Sequence, residues 1–177
     1  GFHWIKLKAH TAALGNLRAG KIRGLPDTID CVLLGAYRGR GKRTQFGVGG
    51  FLLGVPGRDG RFYSLSRLGT GLSDEQFREL RQLIKKHESA EMPKEYVVDK
   101  EIVPDIWIAP SLVVEILADE ITRSSRHTAG RGRDGRGFSL RFPRLVRFRD
   151  DKNAEDATTI QEIIALERRQ KTPKHTV

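Results

Sequence analysis

The 177-residue sequence predicts a mainly β domain, built as a small Greek-key barrel with one inserted amphipathic helix and a C-terminal helix. Three observations support this prediction. Five or six short apolar segments have strand-like patterns, glycine-bearing turns separate the early ones, and Ser/Thr-x-x-Glu/Gln capping boxes precede two helix-like segments. An ordinary α+β domain fits the pattern nearly as well, so periodicity alone leaves both architectures open.

The early strands are separated by turns. Residues 29–37 form a continuous apolar strand and residues 46–55 a second one, with a basic, glycine-bearing turn at 38–43 between them. Gly-Arg-Asp-Gly at 57–60 then predicts a hairpin turn into a third strand at 61–68.

An amphipathic helix follows the third strand. Ser73 and Gln76 fit a capping box, so we expect the helix to run from Asp74 to His87. Its apolar side chains fall on one face at helical spacing, at Phe77, Leu80 and Ile84.

The second half of the chain returns to strand patterns. Strands are predicted at 97–98, 105–108 and 112–121, and a further one at 138–149. A glycine-arginine loop at 130–137 separates the last two of these strands.

The domain is expected to occupy residues 27–170. A second capping box, Thr159 with Glu162, predicts the terminal helix that closes it. Residues 171–177 are predicted to be a disordered tail. Residues 1–26 combine a strand with a linker, and because that strand begins without a cap we expect a further domain upstream.

Composition argues against several classes of protein. No apolar run approaches the roughly 20 residues that span a bilayer, and the first residues do not resemble a signal peptide. The single cysteine, Cys31, lies in an apolar run and is expected to be a buried thiol in a reducing cytoplasm. One Cys and five scattered His supply no structural zinc site at ordinary ligand spacing.

The charge indicates a polyanionic partner. The formal net charge is +10 and the pI is about 10.1, which is typical of proteins that neutralise phosphates. Residues 123–149 hold nine arginines and one acidic residue, whereas residues 95–120 hold seven acidic residues and one lysine. This segregation predicts one basic face.

Two basic segments are candidate phosphate contacts. Lys6 and Lys8 lie two residues apart on a strand, so both side chains point to one face. They could stabilise a phosphate anion there or belong to a solvated edge strand, and the pattern leaves both interpretations open. Arg38, Lys42 and Arg43 favour contact with phosphates, because the glycines between them let the backbone approach a polyanion closely. A soluble hairpin turn is the alternative, although four cations in six residues exceed what solubility requires.

A third candidate segment lies within residues 138–149. Arg141, Phe142 and Arg144 surround Pro143. Proline has no amide hydrogen for a central ladder, so we expect an exposed edge or bulge here. An exposed Phe142 among arginines would suit a minor-groove or base-stacking contact. The alternative, equally compatible with the chemistry, places Phe142 in the core with the arginines solvated.

A series of motifs stands in one order along the chain. They are Trp-Ile-Lys-Leu-Lys at 4–8, Asp-Cys-Val-Leu-Leu-Gly-Ala-Tyr-Arg-Gly-Arg-Gly-Lys-Arg at 30–43, Leu-Gly-Thr-Gly-Leu-Ser-Asp at 68–74, Val-Glu-Ile-Leu-Ala-Asp-Glu-Ile-Thr-Arg-Ser at 114–124, Leu-Arg-Phe-Pro-Arg at 140–144 and Arg-Asp-Asp-Lys at 149–152. In this order and spacing the chain resembles the C-terminal part of ATP-dependent DNA ligases. The resemblance covers nearly the whole chain.

The resemblance implies a fold and a reaction. The fold would be an OB-fold Greek-key barrel, preceded at residues 1–26 by the motif V strand that ends a nucleotidyltransferase domain. In this family the lysine of a Lys-x-Asp-Gly motif attacks ATP, AMP passes to the 5′-phosphate of a nick, and the 3′-hydroxyl displaces it. No Lys-x-Asp-Gly occurs in the 177 residues, so this chain alone is expected to be inactive.

The resemblance also implies roles for four cations in catalysis. Lys6 and Lys8 would contact the α-phosphate of ATP and the adenylate, offsetting charge in the transition state. Arg149 and Lys152 would reach the β- and γ-phosphates and orient the pyrophosphate. Ala9-His10 stands where the family commonly has a charged Lys-Asp hinge pair, so the pivot residue stays open.

Six residues are the expected DNA contacts. Those in the minor groove beside the nick would be Arg141, Phe142 and Arg144, and those on backbone phosphates would be Arg38, Lys42 and Arg43. The expected partners are nicked double-stranded DNA and the missing nucleotidyltransferase domain, with no membrane, in a monomer of the cytoplasm, or of the nucleus if the source is eukaryotic. ATP and Mg²⁺ are the cofactors of the full-length enzyme, and no carboxylate cluster here suggests magnesium ligands.

Two other functions are compatible with such a barrel. A free-standing module that binds single strands would need several exposed aromatic platforms, but aromatic residues make up 7% of this chain and lie mostly in apolar strands. The OB domain of an RNA ligase or capping enzyme shares the Arg-x-Asp-Lys ending. The Leu-Arg-Phe-Pro-Arg and Ala-Asp-Glu-Ile-Thr-Arg segments favour a DNA ligase.

Overall fold

The computed structural model describes residues 25, 27–39, 47–69 and 72–171. Four of the predicted contacts lie outside this part of the chain, namely Lys6, Lys8, Lys42 and Arg43. The predicted strand and linker at 1–26, apart from residue 25, and the tail beyond residue 171 lie outside it as well.

The described residues form ten strands and two α-helices. In chain order they are β1 (Ile29–Tyr37), β2 (Gly50–Pro56), β3 (Phe62–Leu68), α1 (Asp74–His87), β4 (Glu88–Ser89), β5 (Tyr96–Val97), β6 (Ile106–Ile108), β7 (Val113–Leu117), β8 (Glu120–Ser124), β9 (Gly137–Arg141), β10 (Arg144–Phe148) and α2 (Ile160–Lys171). Short 3₁₀ helices cover Lys100–Ile102 and Ala154–Asp156. Neither α-helix of the described chain is long and apolar enough to cross a membrane.

The strands curl around β1. One edge of β1 pairs antiparallel with β2, and its other edge pairs first with β7 and then with β6. The main sheet has the order β10-β7-β1-β2-β3-β5, and β8 and β9 form a separate two-stranded sheet. The predicted mainly β class is confirmed, with the strands arranged as a half-barrel and two helices packed beside it.

Strand β1 is buried on both faces, which explains its continuous apolar sequence. Cys31 and Leu33 belong to the main core, which also includes side chains of both helices. Val32 and Leu34 belong to a smaller cluster on the opposite face. Since side chains alternate along a strand, Asp30 lies on the same face as this smaller cluster. A carboxylate is therefore placed in a buried position, where it requires cationic or hydrogen-bonding partners.

Both predicted capping boxes are present. Gln76 N donates to Ser73 Oγ at 3.1 Å and Ser73 N donates to Gln76 Oε1 at 2.9 Å, so α1 has the bounds that its sequence predicts. At α2, Glu162 N donates to Thr159 Oγ1 at 3.2 Å. This helix continues to Lys171, which was predicted to open the tail.

Two of the predicted strands are wrong, because each is two strands. The segment 112–121 breaks after β7, where Ala118 O accepts from Leu25 N at 3.0 Å and Asp119 N donates to Arg141 O at 2.9 Å. The segment 138–149 breaks at Phe142, whose φ of 50° interrupts the extended backbone. Tertiary hydrogen bonds and one backbone turn thus divide segments whose apolar pattern is continuous.

The predicted number of five or six strands is also wrong. Strand β4 was not predicted, and it pairs with residues distant in sequence, such as Glu88 with Ile108. Strands β5 and β6 correspond to the strands predicted at 97–98 and 105–108. The strand predicted at 46–55 begins only at Gly50. Such short pairs carry almost no periodic signal of their own, because two or three residues do not establish alternation.

Candidate functional site

The Phe142 turn, defined as residues 141–144, connects β9 to β10. The aromatic side chain of Phe142 is 61% exposed. The sequence is compatible with an exposed ring or with one in the core, and the structure has the exposed ring. Phe142 has a φ of 50°, in the left-handed region that non-glycine residues rarely adopt. Because Pro143 follows it, the chain cannot continue a ladder hydrogen bond at the next residue. The turn therefore projects the ring away from the sheet.

Two ion pairs hold the ends of the Phe142 turn. Arg141 Nη1 donates to Glu120 Oε1 at 2.7 Å. Arg144 donates through Nη2 to Asp119 Oδ1 at 3.0 Å and through Nη1 to the carbonyl oxygen of Phe142 at 2.9 Å. The Arg141 guanidinium also lies 5.5 Å from the centroid of the Phe142 ring, within the range of a cation–π contact.

A second cluster of charges follows β10, and we name it the Arg149 cluster, consisting of Asp30, Glu115, Arg149, Asp151 and Lys152. Lys152 Nζ donates to Asp30 Oδ2 at 2.7 Å, and Arg149 Nη1 lies 3.3 Å from the same oxygen. Arg149 Nε and Nη2 each donate to a different oxygen of Asp151 at 3.0 Å. Both predicted pyrophosphate contacts are thus held by carboxylates of the chain itself.

Glu115 extends the Arg149 cluster below the surface. It lies directly opposite Asp30 in the pairing of β1 with β7. Two like charges at such a position repel each other unless cations separate them. Arg147 Nε donates to Glu115 Oε1, and Thr28 Oγ1 donates to Glu115 Oε2 at 2.6 Å. The cross-strand carboxylates therefore account for the concentration of cations at the end of β10.

The ion pairing changes the pKa values in this cluster. The hydrogen bonds from Arg149 and from the backbone hold the pKa of Asp151 well below its usual range. The hydrogen bond to Asp151 in turn raises the pKa of Arg149 above its ordinary value. Both side chains therefore remain charged throughout the neutral and mildly acidic range.

A cleft of about 440 Å³ lies beside the Arg149 cluster, between α1 and β7. Its walls include the apolar side chains of Leu80, Leu83 and Val113. Three cations also line it, at Lys86, Arg149 and Lys152. The two predicted pyrophosphate contacts thus border a concave surface that also carries the carboxylates of Glu79 and Asp150.

The predicted DNA contacts do not lie together. Arg38 is exposed just after β1, and its backbone N donates to Asp105 Oδ2 at 2.8 Å. The Phe142 turn lies near the other end of β1, because Arg144 pairs with Leu117 and Ile116 pairs with Ile29. The nine residues of β1 separate the two sites by up to about 26 Å at about 3.3 Å per residue.

The segregation of charge along the sequence does not produce the single basic face that it predicts. Six of the nine arginines in residues 123–149 pair with carboxylates, at Arg123, Arg131, Arg141, Arg144, Arg147 and Arg149. Most of the partners come from the acidic segment 95–120, at Asp99, Glu115, Asp119 and Glu120. Strand pairing brings the two segments together, so their charges largely offset each other.

These carboxylate partners were missed from the sequence. Asp30 stands inside a noted motif, but its role depends on the register between β1 and β7, which the sequence does not specify. Among the residues that the structure describes, no group of three or more His, Cys, Asp or Glu side chains could hold a metal ion. The adjacent carboxylates Asp30 and Glu115 bind cationic side chains.

Comparison with known proteins identifies the family that this chain resembles. Residues 42–152 match the family described as the ATP dependent DNA ligase C terminal region. A probable DNA ligase of Dictyoglomus thermophilum is 42% identical over 176 residues, which are 98% of this chain and 28% of that protein. DNA ligase 1 of Saccharomyces cerevisiae is 37% identical over 165 residues, 93% of this chain and 20% of its own length. The chain thus spans less than a third of these relatives.

Solved structures give the same result for the fold. The ligase domain of M. tuberculosis LigD superposes with a TM-score of 0.57 at 26% identity, over 75% of this chain and 38% of that one. A mycobacterial DNA ligase D complexed with ATP and MES superposes with a TM-score of 0.53 at 25% identity, over 75% of this chain and 37% of that one. The family match, the relatives and the shared half-barrel establish that this chain belongs to the C-terminal region of the ATP-dependent DNA ligases.

Proposed function

We propose that this chain is the DNA clamp of an ATP-dependent DNA ligase and contacts nicked duplex DNA through the Phe142 turn. The observation that carries the proposal is the exposed ring of Phe142 between two arginines. Burying a phenylalanine contributes roughly 1.5–3 kcal/mol, and the left-handed backbone costs about 1 kcal/mol or more. Folding alone gains nothing from either feature, whereas a ring held outward is suited to a base step in the minor groove.

The flanking ion pairs support exchange with DNA phosphates. The side chains of Arg141 and Arg144 are 59% and 39% exposed. Exposed pairs of this kind contribute only about 0–1 kcal/mol. Phosphate oxygens could therefore replace Glu120 and Asp119 as partners of these arginines at little cost.

Arg38 would contact backbone phosphates at the far end of β1, and Lys42 and Arg43, which follow it in the sequence, would also contact backbone phosphates. The separation of up to about 26 Å between this end and the Phe142 turn corresponds to about eight base pairs of duplex. The two groups would then bind the duplex at separate positions along its axis, as a clamp requires.

The Arg149 cluster would serve ATP in the full-length protein. In the proposal, a nucleotidyltransferase domain joined to residues 1–26 forms the lysyl-adenylate, and Lys6 and Lys8 contact its phosphate. Arg149 and Lys152 would orient the departing pyrophosphate, which supports the reaction by stabilising negative charge on the leaving group. The carboxylates that now hold these two cations keep them side by side at the edge of the cleft.

The remaining parts of the proposal concern the full-length enzyme. It would be a monomer that uses ATP with Mg²⁺, and the metal would be bound outside the described part of this chain. It would act in the cytoplasm, or in the nucleus of a eukaryote. Burial raises the pKa of the Cys31 thiol well above the ordinary value, so this thiol is unreactive.

Fluorescence anisotropy with this chain tests the proposed function. Labelled nicked duplex, intact duplex and single-stranded DNA are titrated at two salt concentrations. We expect weak binding that prefers duplex to single strands and falls steeply with salt, by about 0.9 in the log-log slope for each neutralised phosphate.

A preference for single strands would instead favour the free-standing OB module. Phe142 is the one exposed large aromatic side chain among the described residues, which gives few stacking platforms for single strands. No binding to duplex at low salt would contradict the proposed function.

A further inference from the structure

The loop that joins β8 to β9, residues 125–136, differs from the rest of the arginine-rich segment. We name it the arginine loop. Three of the nine arginines in residues 123–149 have no carboxylate partner within the described part of the chain, and all three lie in this loop, at Arg126, Arg133 and Arg136. All three side chains are exposed. The loop contains four arginines and one aspartate, so its own net charge is +3.

The base of the arginine loop is fixed to the barrel. Ser64 N donates to Thr128 Oγ1 at 2.9 Å and Thr128 N donates to Ser64 Oγ at 3.1 Å, both in buried positions. Arg131 Nη2 donates to Asp99 at 3.2 Å and to the carbonyl oxygen of Ser125 at 3.0 Å. Arg131, the fourth arginine of the loop, therefore stabilises the base of the loop, so the loop begins at a fixed position on the sheet.

The tip of the arginine loop is a tight turn. Gly132 N donates to Arg136 O at 3.0 Å, and Gly135 N donates to Gly132 O at 3.1 Å. Gly135 has a φ of 76°, which glycine adopts without strain. Asp134, the single carboxylate of the loop, accepts from the backbone N of Arg136 at 3.0 Å. Arg133 and Arg136 are therefore presented on an ordered backbone, which lowers the entropy cost of binding.

The arginine loop and the Phe142 turn lie at opposite ends of one hairpin. Ser124 pairs with Gly137 at the loop end, and Glu120 pairs with Arg141 at the turn end. The four residue steps of β9 between Gly137 and Arg141 span about 13 Å. This distance corresponds to about four base pairs of duplex DNA. A duplex that contacts the Phe142 ring can therefore extend along the hairpin to the loop.

We propose that the arginine loop is a third DNA-contacting site, in which Arg126, Arg133 and Arg136 bind backbone phosphates of the duplex about four base pairs from the Phe142 turn. The proposal rests on the proposed function of the chain as a DNA clamp. Guanidinium groups without internal partners bind phosphate oxygens without first breaking an ion pair. The loop has no exposed aromatic side chain, so its contribution is independent of base sequence.

A charge-matched pair of variants tests this site. In the first, Arg126→Gln, Arg133→Gln and Arg136→Gln are combined. In the control, Arg78→Gln, Arg81→Gln and Lys85→Gln remove the same charge from exposed positions on α1. Nicked-duplex binding is measured by anisotropy over a salt series, and thermal melting verifies the fold. We expect the loop variant to lower the log-log salt slope by about 2 to 3, at about 0.9 per phosphate, and the control by less than 1.

Equal loss in both variants would overturn the inference, because the effect would then follow net charge rather than the loop. An unchanged slope in the loop variant, with normal binding by the wild-type chain, would overturn the inference alone. Failure of the wild-type chain to bind duplex would overturn the proposed function and this inference with it. If the triple variant melts early, Arg133→Gln with Arg136→Gln replaces it, with an expected loss of about 2 in the slope.

Discussion

The Phe142 turn and the Arg149 cluster stand at the two ends of β10, and both combine arginines with carboxylates. They differ in solvent exposure. The Arg141 side chain is 59% exposed and pairs with a Glu120 that is 39% exposed, whereas Arg149 is 15% exposed and pairs with an Asp30 that is 11% exposed. Screening by water weakens the exposed Arg141–Glu120 pair more than the buried Arg149–Asp30 pair. Similar contacts therefore have different energetic consequences.

This difference indicates two modes of use. The arginines of the Phe142 turn can exchange carboxylate partners for phosphates freely, which suits a DNA contact that forms and dissolves. The cations of the Arg149 cluster are fixed in place by buried carboxylates, which suits a pair of groups that must be positioned before a nucleotide arrives. The following predictions begin with the largest expected effect, and those on Asp30, Glu120 and Phe142 test this distinction.

Asp30→Asn is expected to cause the largest loss of stability. Removing one partner of a buried ion pair leaves cations without compensation, which costs about 3–5 kcal/mol in the free energy of unfolding. Urea denaturation monitored by circular dichroism measures this change. Asp151→Asn is the control, because its carboxylate pairs with the same arginine from a side chain that is 61% exposed. Asp151→Asn should shift the urea midpoint far less than Asp30→Asn. Equal midpoint shifts in the two variants would contradict the difference between buried and exposed ion pairs.

Stability is expected to depend on pH through His127. Burial, and then the charges of nearby arginines, lower the pKa of His127 to about 4 from 6.5. Between these pH values the unfolded chain binds a proton that the folded chain does not, so stability falls as the pH drops. The loss reaches up to about 3 kcal/mol, at about 1.36 kcal/mol per pKa unit.

Urea midpoints at pH 7, 5.5 and 4 measure the His127 effect. His127→Gln should flatten the profile across this range. The Arg149–Asp151 pair stays charged between pH 7 and 4, because the pKa of Asp151 is lowered. The contribution of this pair to stability is lost only below the ordinary aspartate range. A profile that stays equally steep in His127→Gln would place the acid sensitivity elsewhere, in the ion pairs themselves.

Glu120→Gln is expected to have the smallest effect on stability, within about 1 kcal/mol, because the pair that it removes is exposed. The same change frees Arg141 from its internal partner. Duplex binding at low salt should therefore become a few-fold tighter, as measured by anisotropy. Weaker binding would mean that Glu120 positions Arg141 for DNA rather than competing with the phosphates.

The sequence predicts those parts of the fold that local interactions determine. Helix α1 has the predicted bounds because Ser73 and Gln76 form its capping box within four residues. Strand β1 has the predicted bounds because burial on both faces makes its sequence continuously apolar. The division of residues 112–121 into β7 and β8 could not be predicted, since it depends on hydrogen bonds from Leu25 and to Arg141.

The candidate site divides in the same way. The exposure of Phe142 is foreseeable as one of two alternatives, because Pro143 disfavours a central strand. The partners of the arginines are not foreseeable, because they depend on cross-strand register. Asp30 opposes Glu115 only when β1 and β7 align as they do here. A charge pattern along the chain therefore indicates a polyanionic partner without showing which cations remain available to it.

The most direct test compares Phe142→Ala with Lys152→Gln in the isolated chain, by anisotropy on nicked duplex. An aromatic contact with bases contributes roughly 1–3 kcal/mol, so we expect Phe142→Ala to weaken binding about tenfold or more while the circular dichroism spectrum stays unchanged. Lys152→Gln should weaken binding at most a few-fold, because its cation faces Asp30 and the cleft rather than DNA. A loss for Lys152→Gln as large as that for Phe142→Ala, or no loss for Phe142→Ala, would contradict the division of labour between the two regions.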